Sequence, residues 1–67
     1  MDQPSLLRFR ILMCMLENNL NKCTVSNIAR ILQEEKYTIS RAMIRMSQDG
    51  LIDRADTHAP PRFFRLL

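Results

Sequence analysis

A single glycine, two cysteines, three prolines and no tryptophan occur among the 67 residues. One glycine cannot build a glycine-rich phosphate cradle, so the common nucleotide-binding loops are excluded at the outset. Cys14 and Cys23 could pair only once, whereas small secreted domains usually carry several disulfides, so reduced, half-buried thiols are expected. Together with His58 they lack the spacing of a metal site, and neither a metal nor another cofactor is expected. No Ser/His/Asp or paired-carboxylate arrangement has positional support, and the chain does not read as an enzyme. Its longest apolar run, Ile11 to Leu16, stops at Glu17, well short of the roughly 18 to 20 residues that span a bilayer. Met1-Asp2-Gln3-Pro4 places no basic stretch ahead of an apolar one, so no secretory signal is expected, and the chain is expected to be soluble and cytoplasmic.

What is present is the making of one small globular domain over residues 1–67. Hydrophobic residues at 46% and charged residues at 25% are too apolar a mixture for a disordered chain. The length leaves room for only one core, near the limit at which burial outweighs chain entropy. Charge is segregated. Residues 1–35 balance four cations against four acids, while residues 36–67 set six cations against three acids, so the net +3 lies in the second half. Five of those six cations are arginine, the side chain best suited to phosphate and guanine.

The pattern along the chain predicts three helices and a hairpin. Pro4-Ser5 opens a run of strong helix formers, giving a helix over about 5–18 with Asn18-Asn19 as the stop. After an extended or turn-like piece at 21–24, Thr24 or Ser26 caps a helix over about 25–33, with Val25, Ile28, Ala29 and Leu32 on one stripe. Glu34 to Tyr37 form a connection, Thr38 caps a third helix over 39–49, and Gly50 ends it. Leu51 to Arg54 and Arg62 to Leu67 then read as two strands around a loop with two prolines, a wing over about 51–67. In the second strand Phe64 and Leu66 are expected in the core, rather than Phe63 and Phe64 stacking on single-stranded bases. The five methionines are expected to be mostly core filling. The fold class expected is α+β, mainly α, in the element order of a winged helix-turn-helix.

On a wheel of 100° per residue, Ile39, Ala42, Met43 and Met46 of the third helix share one side, and Ser40, Arg41, Ile44, Arg45 and Gln48 lie opposite. Those outward residues are equipped for a major groove: Arg for guanine, Gln for adenine, an apolar side chain for the thymine methyl. The wheel alone fits a solvated amphipathic helix equally well.

The string from Thr38-Ile39-Ser40-Arg41 through Gly50-Leu51-Ile52-Asp53-Arg54 resembles the recognition-helix segment of the multiple antibiotic resistance regulator (MarR) family, where Thr-Val-Ser-Arg leads to Gly-Leu-Ile-x-Arg. Thr24 to Leu32 resembles that family's preceding helix and Phe9-Arg10-Ile11-Leu12 the helix before it, so the likeness covers about residues 6–66. The resemblance implies a bacterial-type regulator of transcription that binds double-stranded DNA. It puts Thr38, Ser40, Arg41, Ile44, Arg45 and Gln48 in the major groove, Ser26 and Asn27 near phosphate, and Arg62 of the wing on backbone or minor groove. Two departures stand out. The wing segment Thr57 to Arg62 lacks the family's Asp-x-Arg acid, and the family's flanking dimerisation helices have no counterpart, as in an excised domain or a minimal regulator. The rival reading is a winged helix used only for protein-protein contact. Apolar residues of the first helix, from Leu6 to Leu16, occupy more than one face, and a homodimer through residues 6–16 is expected.

Overall fold

The computed structural model describes residues 4–18 and 22–67, which form three helices and a three-stranded antiparallel sheet. The elements run α1 (Pro4–Glu17), β1 (Lys22–Thr24), α2 (Val25–Leu32), α3 (Lys36–Gln48), β2 (Ile52–Arg54) and β3 (Phe63–Leu66). The chain is therefore α+β and mainly helical. Asn18 ends α1 by donating its backbone N–H (3.1 Å) and its side-chain amide (2.8 Å) to the Cys14 carbonyl; Asn19 and Asn21 lie outside the described residues. No described helix is long and apolar enough to cross a membrane.

The sheet has one more strand than the expected hairpin. β3 lies in the centre, with Cys23 of β1 opposite Phe64 on one side and Arg54 of β2 opposite it on the other. Alternation along β3 buries Phe64 completely and half-buries Leu66, as the sequence pattern requires. One core unites all six elements: Ile11, Cys14 and Met15 of α1, Cys23 of β1, Val25, Ile28 and Ala29 of α2, Ile39, Met43 and Met46 of α3, then Ile52 and Phe64 from the sheet. No described polar or charged residue is buried in it.

Of the two helix boundaries flanking the α2–α3 connection, the end of α2 falls within one residue of expectation and the start of α3 lies three residues before it. α2 stops at Leu32, and Gln33 takes a left-handed conformation (φ 57°), its N–H turned back to the Ala29 and Arg30 carbonyls. The Glu34 N–H also reaches the Ala29 carbonyl, at 3.0 Å. This closure reverses the chain so quickly that α3 begins at Lys36, with extended Glu35 as its N-cap residue. Thr38 is therefore inside the first turn and caps nothing, and Lys36 and Tyr37 are helical rather than connecting. A non-glycine residue in the left-handed region is strained. Gln33→Gly should accordingly raise the melting temperature by a few degrees, about 0.5 to 1 kcal/mol; an unchanged or lower value in calorimetry would contradict the strain.

α3 ends as expected. Asp49 is its C-cap and Gly50 follows with φ 81°, while the Leu51 N–H bonds to the Met46 carbonyl at 2.9 Å. A Cβ on Gly50 would meet nothing within 4 Å, so any penalty there is one of backbone conformation alone. Gly50→Val should cost roughly 1 to 2 kcal/mol in chemical unfolding, and a variant matching the parent would show that another backbone conformation serves as well.

The two thiols are free, and at 4% exposure each they are fully rather than half buried. Burial pushes the Cys14 thiol up, the Glu17 carboxylate adds to this, and the hydrogen bond from Asn18 opposes it. Cys23 is pushed up from an ordinary 9.0 to about 11, mainly by burial and secondarily by Cys14. A thiol with its folded value raised favours the folded state fully below the unfolded value, and that contribution is lost as pH climbs from about 9 through about 11. In native protein at pH 8, Cys23 should react with a disulfide reagent about a hundredfold more slowly than in urea.

Candidate nucleic-acid interface

With α3 lengthened at its start, its outward face gains a turn. Ile39, Met43 and Met46 are buried and Ala42 is half-buried, which leaves Tyr37, Arg41, Arg45 and Gln48 exposed on the opposite side. Arg41, Ile44, Arg45 and Gln48 line one shallow concavity, so four of the residues singled out by the wheel come together. Ile44 is a partial correction. It is half-buried and packs against the core although the wheel places it well inside the outward arc, because an apolar branched side chain gains by covering its neighbours rather than facing water. Ser40 and Thr38 are also half-buried, on the flanks of the helix.

Tyr37, absent from the candidates because its segment was expected to be a connection, stands 68% exposed. The Arg41 guanidinium lies 5.6 Å from its ring centroid, and Arg41 donates to its hydroxyl at 3.4 Å. The tyrosine holds one face of the guanidinium and leaves most of its donors free. The i, i+4 spacing could have revealed this pair had the helix start been known.

A second group forms where α2, α3 and the β2–β3 loop meet. Ser26, Lys36 and Arg62 line a cleft with Thr24, Val25 and Phe63, and Ser26 and Asn27 line a neighbouring one with Arg30. Ser26 is exposed in the first turn of α2, where backbone N–H groups and the helix dipole favour an anion. Asn27 is more committed than expected: Thr24 Oγ1 accepts its backbone N–H at 3.0 Å, and its side-chain oxygen accepts from Arg30. Only its amide nitrogen is left for an outside acceptor.

The β2–β3 loop is braced from within. Arg54 donates to the Asp56 and His58 carbonyls, and its Nε lies 3.9 Å from the otherwise unpartnered Asp56 Oδ1. The other Asp56 oxygen accepts the Arg62 backbone N–H at 3.3 Å, which fixes the backbone at the end of the loop and leaves the guanidinium unheld. The Arg62 carbonyl accepts the Val25 N–H at 3.0 Å, tying the end of the loop to the start of α2. The Arg62 side chain itself is exposed.

Ion pairing sorts the cations into two classes. Arg8 pairs with Asp49 at 2.6 Å, Arg10 with Glu34 at 3.0 Å, Arg65 with Asp53 at 2.8 Å, and Arg54 lies against Asp56. Exposed pairs of this kind add little stability, but they cancel charge locally. Arg30, Lys36, Arg41, Arg45 and Arg62 pair with no carboxylate among the described residues, and these are the cations of α2, α3 and the loop end. The uncancelled positive field therefore projects from the same elements that hold the candidate residues. Cys14 and Cys23, by contrast, sit in the core and His58 sits in the exposed loop.

No protein family, curated protein or solved structure matches the chain.

Proposed function

We propose that this chain is a winged helix-turn-helix that binds double-stranded DNA, as a transcription regulator of MarR-like type or its DNA-binding part. In this reading α2 and α3 are the helix-turn-helix, α3 enters the major groove, and the loop of residues 55–62 is the wing. The observation that carries it is the outward face of α3, where Arg41 and Arg45 are exposed, free of carboxylate partners, and share one concavity with Gln48 and Ile44.

Each residue then has a chemical part. Arg41 and Arg45 present bidentate donors to guanine O6 and N7, Gln48 presents an amide to adenine, and the exposed part of Ile44 meets a thymine methyl. Lys36 and Ser26 hold the phosphate backbone beside the groove, and Arg62 meets backbone or minor groove. Thr38 and Ser40 contribute from the flanks. A buried anionic partner protein could use the same arginines, but only a nucleic acid releases counterions from a whole phosphate backbone on binding.

The test is an anisotropy titration of a labelled duplex over a range of salt. With five unpaired cations available, the log-log plot of affinity against salt should fall with a slope of roughly −4 to −5, about −0.9 for each phosphate neutralised. No binding at low salt, or a flat plot, would remove the proposal and leave the protein-contact module in its place.

A further inference from the structure

Arg62 is the last residue of the β2–β3 loop, and its backbone is fixed on both sides. Its N–H donates to Asp56 Oδ2 at 3.3 Å, and its carbonyl accepts the Val25 N–H at 3.0 Å, which holds it against the start of α2. The arginine of this loop therefore stands at its base and not at its tip. Residues 55–61 contain no lysine or arginine, and their acid, Asp56, is turned to the loop's own backbone. At the base, Arg62 lines one cleft with Ser26 of α2 and Lys36 of α3, and no acid takes part in the lining.

Given the DNA reading, on which this assignment rests, we propose that Ser26, Lys36 and Arg62 form a single phosphate-binding cleft. The backbone of one DNA strand fills it, and Arg62 stays out of the minor groove. Insertion into that narrow groove needs a cation on a projecting segment, and the tip of this loop has no arginine or lysine to insert. A phosphate needs the opposite, charge and donors that converge from a fixed frame. The cleft supplies both. The Lys36 ammonium, the Arg62 guanidinium and the Ser26 hydroxyl all donate and are all exposed, and neither cation has a carboxylate partner among the described residues. At about 270 Å³ the cleft is smaller than the roughly 300 to 1,000 Å³ of small-molecule sites. With two cations in its lining, it suits a phosphate group rather than an apolar ligand. Because Arg62 is tied to α2 and Lys36 opens α3, a strand seated here sets the register at which α3 enters the major groove.

Two measurements test the cleft. In the first, amide spectra of isotope-labelled protein are followed as inorganic phosphate is added at constant ionic strength. The Ser26 and Phe63 amides should shift in the parent and stay still in a Lys36→Ala, Arg62→Ala variant whose circular dichroism is unchanged. In the second, anisotropy follows binding to an A·T-rich duplex whose minor groove is either empty or filled with distamycin. Lys36→Ala and Arg62→Ala should each weaken binding about five- to tenfold at 0.1 M salt, by the same factor in both states, because filling the minor groove leaves the backbone accessible. A phosphate shift that is absent, or that survives the double variant, overturns the cleft. So does an Arg62→Ala variant that binds like the parent, or whose difference from the parent is erased by distamycin, which would put Arg62 in the minor groove. Phosphate shifts as expected in a protein that binds no duplex would instead remove the DNA reading, and with it the strand as occupant.

Discussion

Replacing Arg41 and Arg45 together by alanine is expected to abolish sequence preference while the domain stays folded. Both side chains are exposed and neither holds a carboxylate, so their loss removes no buried contact and no ion pair seen in the fold. Each should cost roughly 1 to 3 kcal/mol on the preferred duplex and relax preference at one base-pair position. The two lie one helical turn apart in one concavity, so their effects need not add. Arg62→Ala should differ in kind, weakening all duplexes alike and flattening the salt slope by about one unit, as expected of a backbone contact. Tyr37→Ala should resemble a weaker Arg41→Ala, because it removes the ring that restrains the guanidinium. Salt titrations of these variants on preferred and scrambled duplexes check the set. Normal affinity and preference in a folded Arg41→Ala, Arg45→Ala variant would take α3 out of the interface. The half-buried Ile44 is a poorer probe: Ile44→Asp would place a charge both in the groove and against the core, so lost binding would be inseparable from lost stability.

Phe64→Ala is expected to unfold the domain. The ring is completely buried on the central strand, between Cys23 of β1 and Arg54 of β2, so its removal empties the sheet side of the core. Truncations of this kind cost about 3 to 5 kcal/mol. Small domains have net stabilities of the same order, roughly 0.05 to 0.15 kcal/mol per residue. Urea titration should therefore show little or no folded baseline for the variant at 25 °C. A cooperative transition at the parent midpoint would contradict the place given to Phe64. The neighbouring Phe63 is half-buried, and its truncation should cost less.

The contrast between these residues shows what the sequence made legible. Period-two alternation put Phe64 and Leu66 inside, and the lone glycine marked the end of α3, because each signal depends on one residue and its immediate neighbours. The stripe of Ile39, Met43 and Met46 was readable for the same reason. The start of α3 was not. Thr38 is a good cap residue, but the α2–α3 turn is set by Gln33 in a left-handed conformation that glycine or asparagine would have announced. That displacement of three residues hid Tyr37 and Lys36, and with them the stack on Arg41 and the cleft shared with Ser26 and Arg62. β1 went unread as a strand because it is three residues long and is held by pairing with β3, Lys22 opposite Arg65, across most of the chain. The division of arginines into paired and unpaired was also invisible, since Arg8 with Asp49 and Arg10 with Glu34 are contacts between elements distant in sequence.

The proposed DNA reading is tested most directly by selecting bound duplexes from a random pool at low salt, with the parent and Arg41→Ala run side by side. The account predicts that the parent enriches a defined motif containing guanine, and that Arg41→Ala enriches the same motif with one guanine position randomised. A parent that retains duplexes without enriching any sequence, or an Arg41→Ala variant whose motif is identical to the parent's, would contradict it.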